Sequence, residues 1–140
     1  TRELVASAIK QGATKRFGEI LTGTIQSPIV LTNVSNEMDI AQSEIFGPVA
    51  AIQKFETEEQ AVQLANDTPF GLASYFYSQN AARIERVSQA LKYGIVGVNE
   101  GLISNAAAPF GGIKQSGFGR EGSLYGLDDY LNIKYICTTY

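Results

Sequence analysis

Apolar positions along this chain recur with two different periods, and the switches between them mark out the elements. Leu4, Val5, Ala8 and Ile9 fall at helical spacing and Gly12 follows as a stop, which predicts a short opening helix. Pro28-Ile29-Val30-Leu31-Thr32-Asn33-Val34 is β-branched and predicts a strand. A second apolar strand is expected over 49–55, entered through Gly47-Pro48. Thr57-Glu58-Glu59-Gln60 reads as a capping box, in which the Thr57 hydroxyl and the Gln60 side chain satisfy open amides. The helix it starts runs through Asn66 with Ala61, Leu64 and Ala65 on its apolar side, and Pro69-Phe70-Gly71 breaks it. A strand over 72–77 follows. Asn80 then caps a helix with Ala81, Ile84, Val87, Ser88 and Leu91 on one face, ended by Gly94. Residues 94–99 predict a buried strand, with Gly97 small enough for close backbone approach.

The alternation of strands and helices is what a parallel α/β sheet with flanking helices produces. After Asn99 the character changes to a glycine-rich loop over 100–122, and loops of that length are uncommon unless functional. Residues 130–138 predict a final strand carrying Leu131, Ile133, Tyr135 and Cys137 on one face.

Composition narrows the chemistry. The 140 residues, 44% hydrophobic and 18% charged, fit one globular domain. Apolar runs last only a few residues, so no membrane association is expected. The opening Thr1-Arg2-Glu3-Leu4 lacks a methionine and reads as mid-protein. A net charge of −3 with scattered Lys and Arg argues against nucleic acid. One cysteine excludes an internal disulfide and favours a cytoplasmic location. The chain has no histidine, which excludes a Ser-His-Asp triad or Cys-His pair within it and argues against a metal site.

Four features invite a functional reading. Gly117-Phe118-Gly119-Arg120-Glu121-Gly122 matches GxGxxG, but a loop precedes it, so a tight turn needing positive φ explains it better than a dinucleotide fingerprint. Cys137 is expected to be buried and inert on its strand face. Glu44 suits a carboxylate that accepts hydrogen bonds from vicinal hydroxyls, with Phe46 beside it as an apolar contact for a flat ring; a solvated loop is the alternative. Ser104 and Asn105, followed by Phe110-Gly111-Gly112, suit a pocket wall, or equally a surface loop anchored by its phenylalanine.

Taken together, Glu44-Ile45-Phe46-Gly47-Pro48-Val49 and the run Pro109-Phe110-Gly111-Gly112-Ile113-Lys114-Gln115-Ser116-Gly117-Phe118-Gly119-Arg120-Glu121-Gly122 resemble the late motifs of the aldehyde dehydrogenase superfamily. Asn66-Asp67-Thr68-Pro69-Phe70-Gly71-Leu72-Ala73 and Gly97-Val98-Asn99 fit between them at matching separation. Leu102-Ile103-Ser104 and the ending Asp129-Tyr130-Leu131-Asn132-Ile133-Lys134-Tyr135-Ile136-Cys137 are most similar to the succinate-semialdehyde branch.

The resemblance implies a C-terminal fragment of a longer oxidoreductase: 1–125 from the catalytic domain and 126–140 as an oligomerisation arm strand. Such an enzyme oxidises an aldehyde, here expected to be succinate semialdehyde, through a cysteine thioester with NAD or NADP as cofactor. The nucleophilic cysteine and acid–base glutamate lie upstream of the matched region, so this chain carries no catalytic residue and is expected to be inactive alone. By position, Glu44 would hold the nicotinamide ribose, Phe46 would flank the nicotinamide, and Ser104 and Phe110 would line the substrate tunnel. The parent is expected to be a homo-oligomer, a dimer or tetramer. Two readings compete with it: an inactive truncated module that assembles with intact subunits, and a stand-alone dinucleotide-binding domain.

Overall fold

The opening helix forms as α1 (Arg2–Lys10), and its Val5 and Ala8 are fully buried. They pack against Ile29 and Leu31, the alternating inward residues of strand β2 (Ile29–Thr32), together with Val34, Met38 and Ile40. A computed structural model describes residues 1–21 and 23–140 of the chain. They divide into two compact units, Thr1–Thr68 and Pro69–Tyr140.

In the first unit β2 is central. It pairs in parallel with β3 (Val49–Ala51) and antiparallel with β1 (Thr14–Phe17), whose ladder carries a bulge between Lys15 and Phe17. The strand expected over 49–55 is shorter than that. Its register with β2 ends at Ala51 among the described residues. Ile52 still donates to the Leu31 carbonyl at 2.9 Å and accepts from the Val34 amide at 3.3 Å, on the far side of Asn33 with its φ of 57°. A four-residue helix, α2 (Asp39–Gln42), lies between the parallel strands and buries Ile40. The capping box opens α3 (Glu58–Asn66): the Gln60 amide donates to the Thr57 hydroxyl at 3.2 Å, and the Gln60 side chain accepts from the Glu56 amide at 2.7 Å. The far end of α3 is held by amide side chains. Asn36 donates to the Leu64 carbonyl and the Asp67 carboxylate, each at 3.0 Å.

The second unit is built on β4 (Ala73–Phe76), α4 (Ala81–Ala90) and β5 (Ile95–Val98), with β4 and β5 parallel and Ala73 opposite Ile95. Asn80 caps α4 through the Arg83 amide at 2.9 Å, and Val87 is buried. The helix ends at Ala90 with Leu91 extended, ahead of the expected stop at Gly94. Gly94 serves a different purpose: its amide donates to the Gly71 carbonyl at 3.0 Å and its α-carbon lies hard against residue 111. The α/β class with parallel strand pairs is therefore as expected.

The end of the chain differs from expectation. A 3₁₀ turn closes at Tyr130, and residues 131–140 form neither helix nor strand, each of them exposed. No strand among the described residues pairs with them, and an isolated strand has no ladder to stabilise it. Cys137 is accordingly exposed, not buried as its apolar neighbours suggested.

A β-carbon at Gly94 would stand 1.9 Å from the Gly111 carbonyl oxygen, and both groups are backbone, so no side chain can yield. Gly94→Ala is expected to destabilise the protein by about 3 kcal/mol, the upper range for overpacking. Denaturant unfolding checks this, and a midpoint equal to the wild type's would contradict it.

Candidate functional site

Glu44 and Phe46 sit on the loop joining α2 to β3, on either side of Ile45. Ile45 is half-buried and packs on the core, so alternation turns its two neighbours outward. The loop is tight: the Gly47 amide donates to the Ile45 carbonyl and the Val49 amide to the Gly47 carbonyl, both at 2.8 Å, a pair of three-residue turns. The Thr1 hydroxyl adds a bond to the Phe46 carbonyl at 3.0 Å. Glu44 is exposed, and Phe46 is 89% exposed. Phe46 and Pro48 border an open cleft of about 450 Å³, whose other walls include Arg2, Glu3 and Gln26. A phenylalanine held outward by a rigid turn is a ready contact for a flat apolar partner.

Ser104 and Phe110 occupy the long loop after β5, in the second unit. Asn99 begins it at a φ of 55° and clamps Ser78, two residues past the end of β4, with its side-chain amide. Its oxygen accepts from the Ser78 amide at 2.8 Å and its nitrogen donates to the Ser78 carbonyl at 2.7 Å. Farther on, the Asn105 side chain accepts from the Ala107 amide at 2.9 Å. Ser123 donates to the Ala106 carbonyl at 2.9 Å, and Phe110 and Glu121 exchange both backbone bonds, at 2.8 and 2.7 Å. Ser104 is exposed between these fixed points, and Phe110 is half-buried.

The glycines of the GxGxxG match take φ values of 101°, 85° and 67°, so they serve turns. The Arg120 guanidinium between them donates to the Gly112 carbonyl at 2.8 Å and the Gly119 carbonyl at 2.7 Å. Among the described residues no three of His, Cys, Asp and Glu come together as a metal site.

One residue escaped the sequence reading. The Glu100 carboxylate turns back on its own chain and accepts from the Gly101 amide at 2.8 Å and the Leu102 amide at 2.9 Å. The signal was present: an acidic residue before glycine at a strand exit is a common local cap. These two bonds, Leu102 first, lower the Glu100 pKa from its ordinary value.

The sequence pattern of the aldehyde dehydrogenase family matches residues 1–136. The chain is 51% identical over 138 residues to the 3-sulfolactaldehyde dehydrogenase of Pseudomonas putida, covering 96% of this chain and 28% of that protein. It is 50% identical over 136 residues to a probable NADP(+) succinate-semialdehyde dehydrogenase of Sinorhizobium fredii, covering 95% and 28%. The solved succinate-semialdehyde dehydrogenase of Burkholderia pseudomallei superposes with a TM-score of 0.89 at 52% identity, over 98% of this chain and 29% of its own. The chain thus spans little more than a quarter of the relatives it matches.

Because the bonds favour the ionised Glu100, they help hold the turn at neutral pH, and that contribution fades as pH falls through the lowered pKa. The amide-proton shifts of Gly101 and Leu102, followed by NMR, are expected to titrate with a midpoint below that of an unperturbed glutamate. A midpoint at or above the ordinary value would remove the cap from the account.

Proposed function

The chain belongs to the aldehyde dehydrogenase family, and from that premise we propose that it is a segment of a longer NAD(P)-dependent enzyme that oxidises an aldehyde to a carboxylic acid. The observation that carries the reading is the family match over nearly the whole chain at about half identity to enzymes of this kind. The substrate proposed is succinate semialdehyde. Its far end is a carboxylate, and 3-sulfolactaldehyde, named for another relative, carries a sulfonate there. An aldehyde with an anionic far end is the shared chemistry.

The outward pair on the first loop fits a nicotinamide cofactor. Glu44 is an exposed carboxylate able to accept from both ribose hydroxyls, and Phe46 offers its face to a planar ring. When bound, NAD or NADP would supply the hydride acceptor. Glu44 and Phe46 would set its approach angle, and orientation of this kind governs much of the rate of such a transfer. Ser104 would donate to the anionic end of the substrate, and Phe110 would form an apolar wall.

The nucleophilic cysteine and the acid–base glutamate belong, in this reading, to the rest of the enzyme. Cys137 lies exposed on a segment without secondary structure, and the chain has no histidine to activate it. The segment alone would therefore turn over no aldehyde. Residues 1–125 form part of the catalytic domain in this proposal, and 126–140 an arm that finds its strand partner in a second copy. Leu131, Ile133, Tyr135 and Ile136, all exposed, supply the apolar surface for that association.

Two substitutions in the full-length enzyme test the assignment. Glu44→Gln is expected to slow single-turnover hydride transfer and weaken cofactor binding by about 1–3 kcal/mol, the range for lost charge-assisted bonds. Unchanged cofactor KM and an unchanged hydride rate would contradict it. Ser104→Ala is expected to cost about 1–2 kcal/mol, roughly tenfold in kcat/KM, for succinate semialdehyde. A simple aliphatic aldehyde of similar length should barely respond. If the ratio of the two specificity constants stays the same, Ser104 does not read the carboxylate.

A further inference from the structure

Ser104 donates through one short side chain, so its usefulness depends on where the loop carries it. Residues 100–103 set that position, and they are held in an uneven way. Upstream, Asn99 is fixed: its amide donates to the Phe76 carbonyl at 3.0 Å and its side chain clamps Ser78. Downstream, Asn105 folds its own turn through the Ala107 amide. Between them Leu102 is 89% exposed and contributes little packing. Ile103 folds back over β5, where its Cγ2 stands 3.0 Å from the point a β-carbon on Gly97 would occupy. The Glu100 carbonyl oxygen packs against β5 in the same way, 2.9 Å from that point. The Glu100 carboxylate adds a constraint within the turn itself, with one oxygen accepting from the Gly101 and Leu102 amides.

We propose that Glu100 is a positioning residue of the substrate end of the site, shaping the 100–103 turn so that Ser104 meets the anionic end of the substrate. The inference rests on the Ser104 reading above and adds to it the residue that makes Ser104 selective. The geometry also answers an electrostatic objection. A free carboxylate four positions from a group that binds an anion would repel the substrate. Here one oxygen faces two backbone N–H dipoles, which oppose its charge as they fix the turn.

The two roles of the carboxylate, acceptor and charge, separate by substitution in the full-length enzyme. Glu100→Met and Glu100→Gln both remove the charge and keep the length, and only glutamine keeps an oxygen for the two amides. Glu100 is exposed, so neither change opens a cavity. The readout is kcat/KM for succinate semialdehyde divided by that for an aliphatic aldehyde of similar length. Glu100→Met is expected to lower this ratio about three- to tenfold through KM, with kcat kept, and Glu100→Gln to restore most of it. If thermal melting shows that Glu100→Met does not fold, Glu100→Ala gives the same contrast with glutamine.

A ratio that rises equally in both variants would mean that only the charge matters and would overturn the proposal. An equal loss of kcat for both aldehydes would do the same, since that is a structural effect. Ser104→Ala is measured alongside. A wild-type ratio there sinks the Ser104 reading and this inference with it. A lowered ratio in Ser104→Ala beside a wild-type ratio in Glu100→Met sinks this inference alone.

Discussion

The carbonyl oxygen of Gly71 accepts the amides of both Gly94 and Ile113, each at 3.0 Å, while its own amide donates to the Ser116 hydroxyl at 3.0 Å. Three stretches distant in sequence therefore meet at one residue, two positions before β4. The meeting is possible only without side chains: a β-carbon on Gly94 would overlap the Gly111 carbonyl, and one on Gly112 would come within 2.6 Å of the Ser116 Cβ. Backbone packed on backbone at this distance leaves no room for adjustment, which is why interiors transmit displacement instead of absorbing it. Closing the chain here also shortens the free loop. Residues 99–110 leave β5 through a clamped asparagine and return through the Phe110–Glu121 bridge, so the exposed Ser104 hangs from two fixed ends.

The first unit meets the same requirement, an outward side chain held still, by different means. Ile45 is drawn into the apolar core, and the pair of three-residue turns around Gly47 stiffens the chain on its far side. Phe46 is thereby kept in solvent, where a phenylalanine forgoes the burial that would stabilise it by about 1.5–3 kcal/mol. Such exposure makes sense on a surface that a ring-shaped ligand covers. In both units the sheets contribute placement, and the candidate residues sit on the connections, as loops on rigid scaffolds commonly do.

Much of this was legible in the sequence. The β-branched run over 28–34 predicts β2 correctly, and the strand forms over Ile29–Thr32. Thr57 and Asn80 carry cap signatures that specify their bonds, because capping chemistry is local. The polar strand β1, Thr14-Lys15-Arg16-Phe17, was missed because an edge strand carries charge on purpose and shows no apolar alternation. The helix α2 was missed because four residues are too few to display a helical period. The strand expected over 130–138, which the described residues do not form, and the expected burial of Cys137, which is exposed, share a cause. Alternation reports that one face seeks burial, and it does not report whether the burying surface belongs to the same chain. The local role of Glu100 was hidden for the opposite reason: it concerns only two neighbouring amides and leaves no periodic trace.

The charge arrangement of the second unit carries the argument about substrate one step further. Two cations lie in the glycine-rich motif, and both are engaged. Arg120 donates to the Gly112 and Gly119 carbonyls, and the Lys114 ammonium stands 5.6 Å from the Tyr93 ring centroid. Their work is to hold the loop. Glu100, the anion nearest Ser104 in sequence, is likewise occupied by backbone amides. Ser104 thus offers a neutral donor, and the charge nearest to it in sequence is taken up by backbone amides. One hydroxyl is too weak to capture a carboxylate from water, because it replaces the several hydrogen bonds of the hydration shell with one. Under the proposed assignment, a binding site for an anionic aldehyde would therefore need a cation from outside this chain. In the proposed division of labour such a cation would supply affinity, and Ser104 would supply the direction in which the substrate points.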